Sequence, residues 1–433
     1  MTMTRRTLLT SVSAALVGST LSGFGGRLAR AQTPQKLNIL AHRIHKIVST
    51  GTQGGDITQA WMDQNKIGIE WLTFDQGPLR ERLFREASLR ETTIDIGFLV
   101  NTQMTPSVAE MFEPLDEYLK TDPIEDFQDL FPGMVAAMRI RGNQMAIPFR
   151  HTTSGLHYNT DLFAERGLAG PPETIEEFVE CAKKLSYTRS DGTPVVGLVL
   201  PGASYPNVVD IARAWNGDFI TPDYKVVANQ PPMVRAVTIL RELFLANAFP
   251  RGFATIQTED VNTWMQSGRA AMSMVGMSRT NIYNDPKVSK FPGKFKVAPL
   301  PISKELKEKF DVAPAKVEFW SMAIPRNSKN KKLAWSLIKQ MLTKDSTLKA
   351  ALNGNGPVRN STYDIPSFAS SLAYAKEERR VLKVARVPMP PFDNDQRAGD
   401  IFKEEVEAAI LGMKPVQKAL DDVVSRVQPL VKQ

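Results

Sequence analysis

Three short apolar runs separated by helical stretches constrain the fold of this chain more than any other feature. Leu37-Asn38-Ile39-Leu40-Ala41 reads as a buried strand. Ile67, Ile69 and Trp71 alternate as in a half-buried strand, and Ile94 to Leu99 reads as a third. Between them lie a helix from about Asp56 to Gln64 and a charged helical stretch carrying Leu79, Leu83, Ala87 and Leu89. Strand, helix, strand, helix, strand predicts an α/β fold: a parallel sheet with helices on its faces. Ligands on such sheets bind beyond the carboxyl ends of the strands. Here those ends are a polar, Gly-rich loop from His42 to Gly55 and the segment from Phe98 to Gln103. His42 and Asn101 are therefore candidates for ligand hydrogen bonds. His42 and His45, three residues apart with no third ligand nearby, read as surface histidines rather than a metal site.

The chain has 433 residues, long for one core and suited to two lobes. Its one cysteine, Cys181, excludes an internal disulfide, an iron–sulfur cluster and a zinc cage, and no cofactor is expected. The net charge is +8, but Arg5, Arg6, Arg27 and Arg30 fall in the first 31 residues, which contain no acid. The remaining +4 is mild for a chain of this size. No basic block has interleaved aromatics, and Lys304 to Lys309 mixes signs like a solvated helix face, so nucleic acid is not an expected partner.

Residues 1–31 read as an export signal: a charged start, an apolar stretch from about Leu8 to Val17, then Ala29-Arg30-Ala31 as an A-x-A cleavage site. Thr4-Arg5-Arg6-Thr7-Leu8-Leu9 resembles a twin-arginine signal, which is an address read by a receptor. The apolar run falls short of the roughly 20 residues that span a bilayer. The expectation is a soluble periplasmic protein, cleaved after about Ala31.

From Ser154 to Tyr187 the pattern changes. Gly155-Leu156-His157-Tyr158-Asn159 leads through Asp161-Leu162-Phe163, a Gly-containing break and Pro171-Pro172 into an amphipathic helix. Thr174 and Glu177 form a T-x-x-E capping box, and Ile175, Phe178, Val179, Ala182 and Leu185 share one face. Further boxes follow in order: Ala214-Trp215-Asn216-Gly217, Ser267-Gly268-Arg269-Ala270-Ala271-Met272, Val297-Ala298-Pro299-Leu300-Pro301, Phe319-Trp320-Ser321-Met322 and Asn355-Gly356-Pro357-Val358-Arg359. Together they resemble the bacterial extracellular solute-binding proteins of ABC importers, the maltose-binding-like family, over nearly all of the chain after the leader. Asn216 departs from the family pattern, standing where a first glycine is usual.

The resemblance implies a two-lobe periplasmic binding protein of type II, with a hinge and a ligand cleft between the lobes. It implies capture of a small solute, most simply a carbohydrate or sugar derivative, by hinge closure, and delivery to permease subunits by a monomer. Crossings are expected near Pro148–Ser154, Val275–Met277 and Thr343. Lobe one is then 32–148 plus 277–342, and lobe two 149–276 plus 343–433. Aromatics near strand ends or returns (Tyr205, Trp215, Phe319, Trp320) are candidate sugar platforms, though each could equally be core. Met277 adjoins a crossing. Arg150, Thr153 and Arg359 are polar candidates, with Arg359 equally suited to bracing its turn. Two arginines facing the cleft would favour an acidic solute, because arginine grips carboxylate or phosphate as a fork.

Two other classes compete. An exported enzyme is disfavoured: the chain has no G-x-S-x-G elbow, H-E-x-x-H, P-loop or dinucleotide fingerprint, and Glu176-Glu177 sits in a solvated helical run. A ligand-sensing partner of a membrane receptor would look the same in sequence as an importer subunit.

Overall fold

The computed structural model describes residues 36–431. The leader and its expected twin-arginine motif and cleavage site lie outside the described residues. Eleven strands are described. β1 (Lys36–His42), β2 (Gly68–Phe74) and β3 (Ile96–Val100) are parallel, with β1 in the middle. This is the arrangement the strand–helix alternation predicts. A hairpin of β4 (Arg139–Ile140) and β5 (Asn143–Gln144) precedes the 13-residue β6 (Ile147–Asn159). Then come β7 (Tyr187–Thr188), β8 (Pro194–Val199), β9 (Ala270–Gly276), β10 (Phe295–Ala298) and β11 (Val317–Ala323). The main path runs β2-β1-β3-β11-β6-β9-β8-β7, with β10 also on β6.

β6 joins the two halves of the molecule. Its first half, Ile147 to Thr153, pairs antiparallel with β11, which itself pairs with β3. Its second half pairs with β9, from Ser154↔Gly276 to Tyr158↔Met272, and with β10, from Leu156↔Ala298 to Asn159↔Phe295. The expected crossing near Pro148–Ser154 is therefore a continuous strand. At its centre Gly155 leaves room for β10: a Cβ there would sit 2.6 Å from Val297 Cγ2 and 3.0 Å from Ala298 O.

The helix after the crossing forms as its sequence predicts. Thr174 Oγ1 accepts from Glu177 N at 3.3 Å, and Glu177 Oε2 accepts from Thr174 N at 3.1 Å. Ile175, Phe178, Val179 and Ala182 are buried, and Lys183 and Lys184 sit in the last turn, where they complement the helix dipole.

Three expectations are corrected. His42 to Gly55 is not all loop: Arg43–Thr50 is a helix whose N-cap, His42, accepts from Ile44 N through Nδ1 at 3.2 Å. Residues 277–342 do not all belong with the first half, because β10 pairs with the second half of β6 while β11 pairs with the first. Nor does the chain beyond Thr343 all belong with the second half. The helix Lys344–Leu352 packs on Arg43–Thr50, and Asn353 Nδ2 donates to Val48 O and Gly55 O. Only farther on do Asp395–Ile410 and Val416–Val427 pack against the second-half helix Pro231–Leu245.

Candidate functional site

Alternation along β6 and β11 builds one open face where the halves meet. Arg150 and Thr152 are partly exposed between buried Phe149, His151 and Thr153. On β11, Glu318 is exposed and Trp320 partly exposed between buried Val317, Phe319 and Ser321. In register Trp320 lies opposite Arg150, and Glu318 opposite Thr152. Side chains two apart on a strand share a face, so these four form a floor. Gly276 extends it from β9: a Cβ there would lie 2.5 Å from Thr152 Oγ1.

The end of β1 supplies one wall. The His42 ring centroid lies 6.0 Å from that of Trp320. His45 is wholly buried beneath, stacked on Phe98 at 4.3 Å and edge-on to Trp320 at 4.7 Å. Its two ring nitrogens have no partner. Burial, with the nearby Arg150 charge, holds His45 well below the usual histidine range. Burial also lowers His42, against the pull of Asp75. Asp75 is itself ion-paired with Arg43. Tyr374, buried beside Arg150, has its phenol pushed up by desolvation.

The other wall comes from the second half. Tyr205 opens the helix Tyr205–Ala212 and lies against Gly399. Burial, then the charges of Asp395 and Glu318, push its phenol up. Asp395 is raised by burial, and the Arg80 charge acts against this from the first half. Asp393 accepts from the Ser107 hydroxyl at 2.5 Å, a direct contact between the halves.

Of the ten residues singled out from sequence, His42, Arg150 and Trp320 come together here, and Tyr205 stands within reach of the Glu318 charge. Six are corrected. Asn101 is buried and its Oδ1 accepts from Phe319 N at 3.1 Å, fastening β11 to the end of β3. Thr153 faces the opposite side of β6 and donates to Lys316 O at 2.8 Å. Phe319 and Met277 are fully buried core residues. Arg359 is also fully buried, donating to Leu342 O, Glu125 O, Asp126 O and Asp129. Trp215 lines a separate groove with Pro231, Pro232 and Glu305, under the Arg235 guanidinium 5.4 Å from its ring. Sequence reasoning missed Thr152, Glu318, Asp75, Tyr374 and Asp395. The first two were available from period-two alternation around Arg150 and Trp320; the others come from segments remote in sequence.

Among the described residues no cluster of His, Cys, Asp or Glu could hold a metal ion, and no helix is long and apolar enough to cross a membrane. Two α/β lobes joined at an aromatic and polar floor define a binding protein for a small solute. The chain matches the family model for bacterial extracellular solute-binding protein over residues 57–347, and it belongs to that family. The family and its fold are those of proteins that bind solutes and are not enzymes, and membership implies a periplasmic location.

A probable ABC transporter-binding protein of Deinococcus radiodurans is 27% identical over 228 residues, 51% of this chain and 53% of the relative, so the match spans about half of that protein. The sn-glycerol-3-phosphate-binding periplasmic protein of Agrobacterium fabrum is 23% identical over 311 residues, 67% of this chain and 68% of the relative. Among solved structures, a maltose-bound Thermotoga maritima protein superposes with a TM-score of 0.71 at 23% identity, covering 91% of this chain and 99% of that one. A solute-binding protein of Agrobacterium radiobacter in complex with ribitol gives 0.67 at 22% identity, covering 92% and 100%. These structural likenesses establish the fold.

Proposed function

We propose that this protein is the substrate-binding subunit of an ABC importer, which captures a small carbohydrate or polyol between its lobes and presents it to membrane permease subunits. The observation that carries the reading is the floor on which Trp320, Arg150, Thr152 and Glu318 share one face at the junction of the lobes. An indole face suits the C–H surface of a sugar, and the flanking hydroxyl, carboxylate and guanidinium suit its hydroxyls. The maltose and ribitol held by the two solved structures, and the polyol phosphate named for the Agrobacterium fabrum relative, belong to the same chemical class.

The lobes in this reading are 36–153 with β11, Lys331–Met341 and 343–365, against 154–276 with β10 and 395–431. The hinge is β6 with the passages at Gly276 and after Asp311. The protein acts as a monomer, exported by the twin-arginine route and cleaved after about Ala31. Arg5→Lys with Arg6→Lys should retain the precursor in the cytoplasm, and the mature chain should begin at Gln32.

Binding stabilises a folded receptor by mass action. A thermal-shift screen of sugars, polyols, sugar acids and polyol phosphates should therefore yield a ligand that raises the melting temperature and is recovered unchanged. No response to any of these, with a response to amino acids or peptides screened alongside, or consumption of the ligand, would sink the reading.

A further inference from the structure

Arg150 is a charged group at the base of the cleft that the protein leaves without a counter-ion. It stands opposite Trp320, with its Nε buried and unpartnered. Two other arginines withdrawn from solvent are treated differently. Arg213 holds Asp218 at 3.0 Å and two backbone carbonyls, and Arg359 holds Asp129 at 3.3 Å and three. Among the described residues no carboxylate lies within ion-pair distance of Arg150.

Its neighbours cannot compensate. His42 and His45 are lowered by burial and stay neutral near pH 7. The Tyr374 phenol is pushed up and stays protonated. Asp75 is taken by Arg43, and Glu378 is bonded to Tyr363. Glu318 shares the face but lies opposite Thr152. A guanidinium does not deprotonate in a protein, and a desolvated charge without a partner is costly. With Nε closed off from solvent, the Nη end of the fork, which no described residue bonds, remains for two parallel bonds to a pair of oxygens.

We propose that the solute carries an anionic group, a carboxylate or a phosphate, which docks on Arg150 and supplies its missing counter-ion. The hydroxylated remainder then runs over Trp320 toward Thr152 and Glu318, whose carboxylate repels the anion and fixes the ligand's direction. This rests on the reading of the cleft as a carbohydrate site.

The test is calorimetric titration of the mature protein with D-gluconate, glycerol 3-phosphate and their neutral counterparts sorbitol and glycerol, with maltose alongside. One anion should bind at least tenfold more tightly than its counterpart, and which one responds separates carboxylate from phosphate. Arg150→Met should abolish the preference and Arg150→Lys should keep part of it. Without ligand, Arg150→Met should melt above wild type, because it removes a stranded charge. Tight binding of a neutral compound that Arg150→Met leaves unchanged would overturn the anion proposal and leave the carbohydrate reading standing. Binding by none of the five would overturn both, whereas an Arg150→Met protein that keeps the wild-type preference for the anion would overturn docking on Arg150 and leave the carbohydrate reading standing.

Discussion

The Tyr363 hydroxyl donates to Oε2 of Glu378 across 2.6 Å, in a pocket that excludes solvent. His151 Nε2 lies 3.2 Å from the same hydroxyl. Burial pushes Glu378 up to about 7, with the tyrosine bond acting the other way. The folded state therefore keeps a proton that the unfolded chain releases near pH 4.5. The stability this gives is fully present below pH 4.5 and is lost as pH rises through about 7. A shift of this size corresponds to about 3 kcal/mol. Glu378→Gln should match wild type near pH 5 and exceed it near pH 8, as read from urea unfolding at the two pH values.

Buried histidines, His151 and His157 among them, act on the acid side. Burial pushes His151 down to about 3 and His157 down to about 4, although His157 Nε2 keeps a 3.1 Å contact with Gly276 O. A lowered histidine pKa has the opposite sign: the unfolded chain takes up protons below pH 6.5 and the fold does not. Stability is then complete above 6.5 and declines as pH falls toward 4. With Glu378 opposing on the alkaline side, the stability maximum should fall near pH 6.5. Imidazole NMR should show both rings neutral at pH 5.5; a ring titrating near 6.5 would contradict the burial argument.

Adjacent residues on β11 should behave oppositely. Phe319 is wholly buried, so Phe319→Ala should cost roughly 3–5 kcal/mol of stability. Trp320 is only partly buried, so Trp320→Ala should cost less stability but weaken ligand binding at least tenfold. Denaturant unfolding and calorimetry on the same two variants separate the effects.

Arg359 braces the fold. Its guanidinium satisfies carbonyls from Glu125, Asp126 and Leu342 together with Asp129. Arg359→Ala strands several of these acceptors and should cost about 3–5 kcal/mol. Arg359→Lys should rescue little, since an ammonium lacks the planar fork. Ligand affinity at low temperature should survive both changes.

Local pattern carried much of the fold. The three parallel strands and the capped helix at Thr174 each follow from spacing and cap chemistry, which act within a few residues. The site was less legible, because its parts meet only through register. Trp320 and Phe319 look equally good in sequence, and which one faces the cleft depends on how β11 pairs with β6. Arg150 and Arg359 look alike too, yet one is left unpaired and the other is closed in by loops more than 200 residues away in sequence. The lobe boundaries failed for the same reason: the side of β6 to which a later strand adds is decided by tertiary packing.

Two glycines at the junction should separate fold from function. At Gly155 a Cβ would meet Val297 Cγ2 at 2.6 Å, Met277 Cγ at 2.9 Å and Ala298 O at 3.0 Å. Met277 is buried and Ala298 O is backbone, so none of these yields easily. Gly155→Ala should cost about 1–3 kcal/mol, as overpacking does. At Gly276 a Cβ would meet chiefly Thr152 Oγ1, at 2.5 Å. That is the end of a rotatable side chain, so Gly276→Ala should cost little stability. The hydroxyl it displaces belongs to the cleft floor, however, so ligand affinity should fall. Thr152→Val, which removes that hydroxyl without crowding the strand, should reproduce the loss. If Gly276→Ala binds like wild type while Thr152→Val does not, the threonine hydroxyl acts from another rotamer, turned away from Gly276.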